Sequence, residues 1–205
     1  MLRFILGDIT NMSNTETILS YAVAVLVAEL VIIFLVRLTN TAFAAKAINR
    51  WYDTFRLDAF LMDSGILMIG FFLASWAYPM LFSKWNPLYY LLLILGIQIT
   101  HDILFYIFAI LGTPKGHNLV MDLMRHYAKD VSYNAILGDS FMYLVAVPVA
   151  MLLVGNRFTT PSLLISAVFT IYPILYMLYT VPVKSSARPD PAVVVVRKRL
   201  RDDVM

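Results

Sequence analysis

The sequence predicts an all-α fold: a polytopic transmembrane helical bundle of about five spans, with two amphipathic helices lying on the membrane surface. Three observations predict it. Of 205 residues, 60% are hydrophobic and 14% charged, and the mean hydropathy is +0.76. A soluble domain of this size is nearer half apolar and a quarter charged, so the apolar surplus exceeds what one core can hide. The apolar residues also gather in five runs close to the roughly 20 residues that a spanning helix needs. Finally, thirteen of the sixteen Lys and Arg residues fall on one side of those runs.

The runs are 17–37, 58–82, 87–111, 135–154 and 162–183. Before the first, MLRFILGDITNMSNTET has a short apolar patch broken by Asp8, without the long apolar region and small-residue cleavage site of a signal peptide; it is expected to stay attached. Runs two and three are separated only by SKWN, and runs four and five only by GNRFTTP, so each pair reads as a tight helical hairpin. Pro148 and Pro173 fall inside runs four and five and are expected to kink them. The longer connections, 38–57 and 112–134, contain TAFAAKAINRWYDTF and LVMDLMRHYAKDVSY, where apolar and charged positions recur at near-helical spacing. GTPKG, residues 112–116, reads as a helix stop and not as a phosphate loop. Residues 1–183 therefore form the membrane unit and 184–205 a basic tail.

Orientation follows from the basic residues. Arg37, Lys46, Arg50 and Arg56 flank the first long connection, Lys115, Arg125 and Lys129 the second, and Lys184, Arg188, Arg197, Lys198, Arg199 and Arg201 lie in the tail. Only Arg3, Lys84 and Arg157 are on the other side. The positive-inside rule places the N-terminus outside and the tail in the cytoplasm. The net charge of +3 is thus a topology signal and not a sign of nucleic-acid binding. Trp51, Tyr52 and Tyr127 are expected at the inner interface, and Trp76, Tyr78, Trp85, Tyr89 and Tyr90 at the outer one.

Within this apolar frame, Glu29, Asp63, His101, Asp102 and Asp139 occupy the cytoplasmic half of four spans, with Gln98 on the same helical face as His101 and Asp102. A charge at membrane depth costs about 2.5 kcal/mol or more, so these groups are expected to face inward and to pair. Three readings compete. The first is polar glue, with Arg56, Arg125 or Lys129 reaching up as counter-charges. The second is a divalent-metal site, weakened because a single His is at hand without an H-E-x-x-H pair. The third is a proton or ion path, weakened because the outer half offers little polar lining beyond Ser75, Thr170 and tyrosines. No metal, cofactor or small-molecule substrate is expected. The absence of cysteine excludes disulfides and thiolate chemistry. A Ser140, His101, Asp63 triad lacks a nucleophile turn, and His117 and His126 read as interfacial, so no enzyme is expected.

The tail, VPVKSSARPDPAVVVVRKRLRDDVM, joins a proline-bounded Val193, Val194, Val195, Val196 run to the cluster Arg197, Lys198, Arg199 and Arg201. Such a segment is suited to adding a strand to a partner's sheet edge or to lying on anionic headgroups.

The segments NRWYDTFRLDAFLMD, QITHDILFYIF and PKGHNLVMDLMRHYAKDVSYNAILGDS resemble a group of small multi-pass membrane proteins of nucleocytoplasmic large DNA viruses, the giant viruses. The likeness covers roughly 49–180, and its main motifs are His101, Asp102, Phe105 and Tyr106 of HDxxFY and the run ending in Asp139 and Ser140. The resemblance implies a setting, the internal membrane of a virion beneath its protein shell, and no particular chemistry. Two functions follow as expectations. One is a structural virion membrane protein, possible as a minor capsid component, with the lipid bilayer and neighbouring membrane or capsid proteins as partners. The alternative is a proton- or cation-conducting protein using the carboxylate and histidine layer.

Overall fold

In the computed structural model, the described residues are 5–39, 45–131 and 134–180, and all their regular structure is helical. In chain order the helices are α1 (Thr15–Phe34), α2 (Ala45–Phe55), α3 (Leu57–Leu81), α4 (Pro87–Leu104), α5 (Leu119–Val131), α6 (Asn134–Gly155) and α7 (Thr160–Thr180). α1 and α4 each run on into a π-helical turn, Leu35–Thr39 and Phe105–Ile110. Five helices are long and apolar enough to cross a membrane, over Thr15–Arg37, Leu57–Leu81, Pro87–Ile110, Ile136–Gly155 and Thr160–Tyr179. They start and stop within a few residues of the five predicted runs. α2 and α5 are shorter and strongly amphipathic.

The helix ends follow from local chemistry. Asn14 caps α1 by accepting from the Glu16 and Thr17 amides, and Asn86 caps α4 through Leu88 and Tyr89, with Pro87 at the first helical position. Arg56 takes a positive φ of 49° between α2 and α3, so the chain turns within one residue. The α3–α4 hairpin is fastened by Tyr78, whose hydroxyl donates to the Lys84 carbonyl at 3.0 Å and accepts from the Asn86 amide at 2.7 Å. Pro79, Pro148 and Pro173 sit inside α3, α6 and α7.

α1 is the most enclosed of the five long helices and α4 the least. α1 packs along α6 and α7 and touches α3, while α4 packs on α3 and α6. Small residues permit this: Ala24 and Ala28 of α1 and Ala146 and Ala150 of α6 are buried. The outward faces remain apolar, as Leu92, Phe108, Val168, Phe169 and Tyr172 show. In water such a surface would be an aggregation hazard, whereas a bilayer would cover it.

The segment before α1 is also packed in. Ile9 is completely buried, and the Gly7 amide donates to the Met151 carbonyl at 2.8 Å. Gly7 and Gly155 meet backbone to backbone, since a Cβ on either would overlap the other's strand of chain. Glycine is needed at both places for that approach. The tail, residues 184–205, lies outside the described residues, together with its valine run and basic cluster.

Candidate functional site

Polar side chains converge where α2 and α5 meet the ends of the long helices. Glu29 of α1 is fully buried. Its Oε2 accepts from the Tyr52 hydroxyl of α2 at 3.1 Å, and its Oε1 from Ser64 of α3 over a long 3.5 Å. One residue along α2, the Trp51 indole donates to Asp63 Oδ2 of α3 at 2.9 Å. The amphipathic period of α2 explains the pair: adjacent residues straddle its inward face and reach two different long helices.

On α4, Gln98 Nε2 donates to Asp102 Oδ1 at 2.6 Å, and His101 Nδ1 lies 3.3 Å from the same oxygen. Asp102 Oδ2 is buried without a hydrogen-bond partner. Gln98 and Asp102 are one helical turn apart, as their spacing predicts, and His101 is partly exposed beside them and stacked on Phe105. Asp139 of α6 is half-buried.

Two phenols outside the long helices report how close the carboxylates lie. Burial pushes the Tyr52 phenol well above its ordinary range, with the charges of Glu29 and Asp63 acting in the same sense. Burial likewise raises Tyr127 of α5, with Asp139, Asp63 and Asp102 adding to it. The charges of Glu29 and Asp63 thus reach the phenol of α2, and those of Asp63, Asp102 and Asp139 the phenol of α5.

The two described candidate counter-charges, Arg56 and Arg125, have other partners. Arg56 is exposed, its guanidinium 5.3 Å from the centre of the Tyr179 ring. Arg125 pairs with Asp122 at 3.3 Å and donates to the Ile110 and Thr113 carbonyls, tying α5 to the end of the α4 π-turn. The Lys129 side chain lies outside the described residues. The donors seen on Glu29 and Asp63 are neutral: a phenol, a hydroxyl and an indole. A separate ion pair joins the buried Arg37 to the half-exposed Asp53 of α2 at 2.6 Å. Among the described residues, no three His, Asp or Glu side chains are grouped so as to hold a metal ion.

A second polar cluster lies toward the other end. Tyr21 of α1, Ser75 of α3 and Tyr90 of α4 form a buried hydroxyl chain, at 2.8 Å from Tyr21 to Ser75 and 2.9 Å from Ser75 to Tyr90. Tyr21 donates to the Ile9 carbonyl of the tucked N-terminal segment, and the Ser75 hydroxyl lies 3.3 Å from the same oxygen. Between the clusters, the Tyr143 hydroxyl of α6 donates to the Leu67 carbonyl at 3.1 Å. Gly70 makes room for it, since a Cβ there would overlap that hydroxyl.

Sequence reasoning placed Trp51, Tyr52 and Tyr90 at interfaces by residue type and passed over Tyr21 and Tyr143. One signal was available: Tyr143 follows Asp139 by four residues, which puts both on one face of α6. Compared with known families, curated proteins and solved structures, the chain matches none.

Proposed function

We propose that this is a structural integral membrane protein, a scaffold that holds two amphipathic helices flat on the cytoplasmic face of a bilayer. The observation that carries this reading is the double latch of α2: Tyr52 to Glu29 of α1 and Trp51 to Asp63 of α3. Buried carboxylates satisfied by donors on a neighbouring helix lock elements together, because losing either partner strands a polar group in an apolar interior. Arg37, in the π-turn that continues α1, adds a third tie on α2 through Asp53, and Arg125 fastens α5 to the α4 end. The five long helices form the membrane bundle in this reading, the split of basic residues sets its orientation, and the tail extends on the cytoplasmic side.

The resemblance to giant-virus membrane proteins extends the proposal to a setting: the internal virion membrane, with the surface helices and residues 189–205 contacting a capsid component. Cysteines placed at Asn14 and Ser185 test the topology and are expected to label from opposite sides of a sealed membrane. Labelling from one side removes the five-span arrangement. Crosslinking in purified particles tests the setting; a protein absent from particles, or one that loses no crosslinks when 189–205 is deleted, is not such a linker.

A further inference from the structure

We propose that α5 is a second latch, built like α2, that turns about Arg125 and closes by docking Tyr127 on Asp102 and His126 on Asp139. This goes beyond the scaffold reading, which treats both surface helices as fixed. The sequence of the α2–α3 junction recurs at the α5–α6 junction. Arg50, Trp51 and Tyr52 are echoed by Arg125, His126 and Tyr127, and DAFLMDS, residues 58–64, by NAILGDS, residues 134–140. The spacing from tyrosine to aspartate is 11 residues in the first copy, Tyr52 to Asp63, and 12 in the second, Tyr127 to Asp139. The element order repeats as well: long helix, π-turn, amphipathic helix, long helix, first from α1 to α3 and again from α4 to α6. Packing follows the same exchange. α1 on α6 is matched by α4 on α3, and α2, seated on α3 and the π-turn after α1, is matched by α5 on α6 and the π-turn after α4. Sequence, order and packing thus agree on an internal duplication, two copies of one unit running in the same direction.

The duplication gives each latch contact of the first copy a counterpart in the second. Glu29 and Asp102 both lie in the last two turns of the long helix before the π-turn, so Tyr52 on Glu29 corresponds to Tyr127 on Asp102. Trp51 on Asp63 corresponds in the same way to His126 on Asp139. Only the first set is made. In the second, Asp102 Oδ1 accepts from Gln98 of its own helix, Oδ2 is buried without a partner, and His126 is exposed. Among the described side chains, none of α5 donates to Asp102 or Asp139. A buried carboxylate oxygen without a donor costs free energy, and a phenol proton is a group that recovers it. Tyr127 is near enough for the charges of Asp102 and Asp139 to act on its phenol, which burial has already withdrawn from water. Arg125 supplies the pivot, because its guanidinium holds the Ile110 and Thr113 carbonyls while the neighbouring face of α5 turns inward. His126 and Tyr127 are adjacent, as Trp51 and Tyr52 are, so one rotation brings both donors toward two different long helices.

The test uses the full chain, which has no cysteine of its own, in phosphatidylcholine nanodiscs. Cysteine pairs are joined by a short bis-thiosulfonate reagent, and the rate of crosslinking is read. W51C/D63C reports the α2 latch and is expected to crosslink readily; its failure would count against that latch, and the comparison on α5 stands apart from it. H126C/D139C reports closure of α5 and is expected to crosslink faster than H126C/T100C, whose threonine is on the exposed face of α4. Adding Y127F or D102L to H126C/D139C removes the other closing contact. Each is expected to slow crosslinking about fivefold, the equivalent of one hydrogen bond of about 1 kcal/mol, and the two together are expected to slow it no further. An unchanged rate with Y127F overturns the proposal, and so does H126C/D139C reacting no faster than H126C/T100C. If melting in detergent shows that H126C/D139C is unfolded, Y127C/D102C takes its place, with H126L as the added change and Y127C/T100C as the comparison, and the same two results decide.

Discussion

The Tyr52 hydroxyl meets the Glu29 carboxylate at 3.1 Å with both residues buried, and this contact ties the amphipathic α2 to the most enclosed of the five long helices. An exposed hydrogen bond contributes about 1 kcal/mol net, but a buried polar group left without its partner costs about 1–3 kcal/mol, and more when charged. The contact therefore matters chiefly through what its loss would strand. Y52F removes the donor and leaves the ring, so a destabilisation of about 1–3 kcal/mol is expected. In chemical denaturation in detergent, the Y52F and E29M changes combined should cost less than their sum, since each breaks the same contact. Strict additivity would show that the two residues do not cooperate.

Alkaline pH should weaken the same region. Tyr52 and Tyr127 are both raised above the ordinary phenol value in the folded protein, first by burial and then by the neighbouring carboxylates. A group raised on folding supports the fold fully below its unfolded value, about pH 10 for tyrosine, and loses that support as pH rises further. Stability is thus expected to be insensitive to these phenols up to about pH 9 and to fall above pH 10, by about 1.4 kcal/mol per pH unit for each tyrosine. Unfolding measured between pH 8 and 11 should show a shallower alkaline decline for Y52F than for the wild type. Equal slopes would mean that Tyr52 does not titrate differently in the two states.

Much of this arrangement was legible in the chain. The five long helices follow from apolar run length, because a helix that satisfies its own backbone and faces lipid needs little else. Gln98, His101 and Asp102 share a face because their spacing is helical, and that was readable too. What the sequence hid was partnership between elements. Trp51 and Tyr52 look like interface anchors until α2 is seen to fold back onto α1 and α3, and Tyr21, Ser75 and Tyr90 come from three helices with no common motif. The arginines misdirected the reading for a related reason: a long side chain has many reachable acceptors, and Arg125 finds backbone carbonyls. The fastened N-terminal segment was equally silent, since Gly7 and Gly155 reveal their purpose only once opposed.

That glycine contact supplies a sharper test of packing. A methyl at Gly155 would overlap the Ile5 carbonyl, which is backbone and cannot rotate away. G155A should therefore release the segment at a cost of about 1–3 kcal/mol, the usual range for overpacking. Since Ile9 closes the hydroxyl cluster, hydrogen exchange at the Gly7 amide should quicken while the core of α6 stays protected. Unchanged exchange at Gly7 would show that the segment is held by something other than this approach.

The Arg37–Asp53 pair should respond unequally to loss of its two members. The Arg37 side chain has no exposure, whereas that of Asp53 is 40% exposed. Removing Arg37 leaves a carboxylate that water can reach and resolvate, so the electrostatic penalty is small. Removing the Asp53 carboxylate leaves a guanidinium enclosed without its counter-ion, and Arg37 Nε and Nη2 already lack hydrogen-bond partners. A fully buried pair broken this way costs about 3–5 kcal/mol; with one member half in solvent, about half of that is the reasonable expectation. R37M keeps most of the volume and should be milder. The expected order of stability in detergent is thus wild type, then R37M, then D53A, with α2 the first helix to become accessible to protease in D53A. The reverse order would mean that packing of the arginine stem, and not its charge, holds α2 to α1.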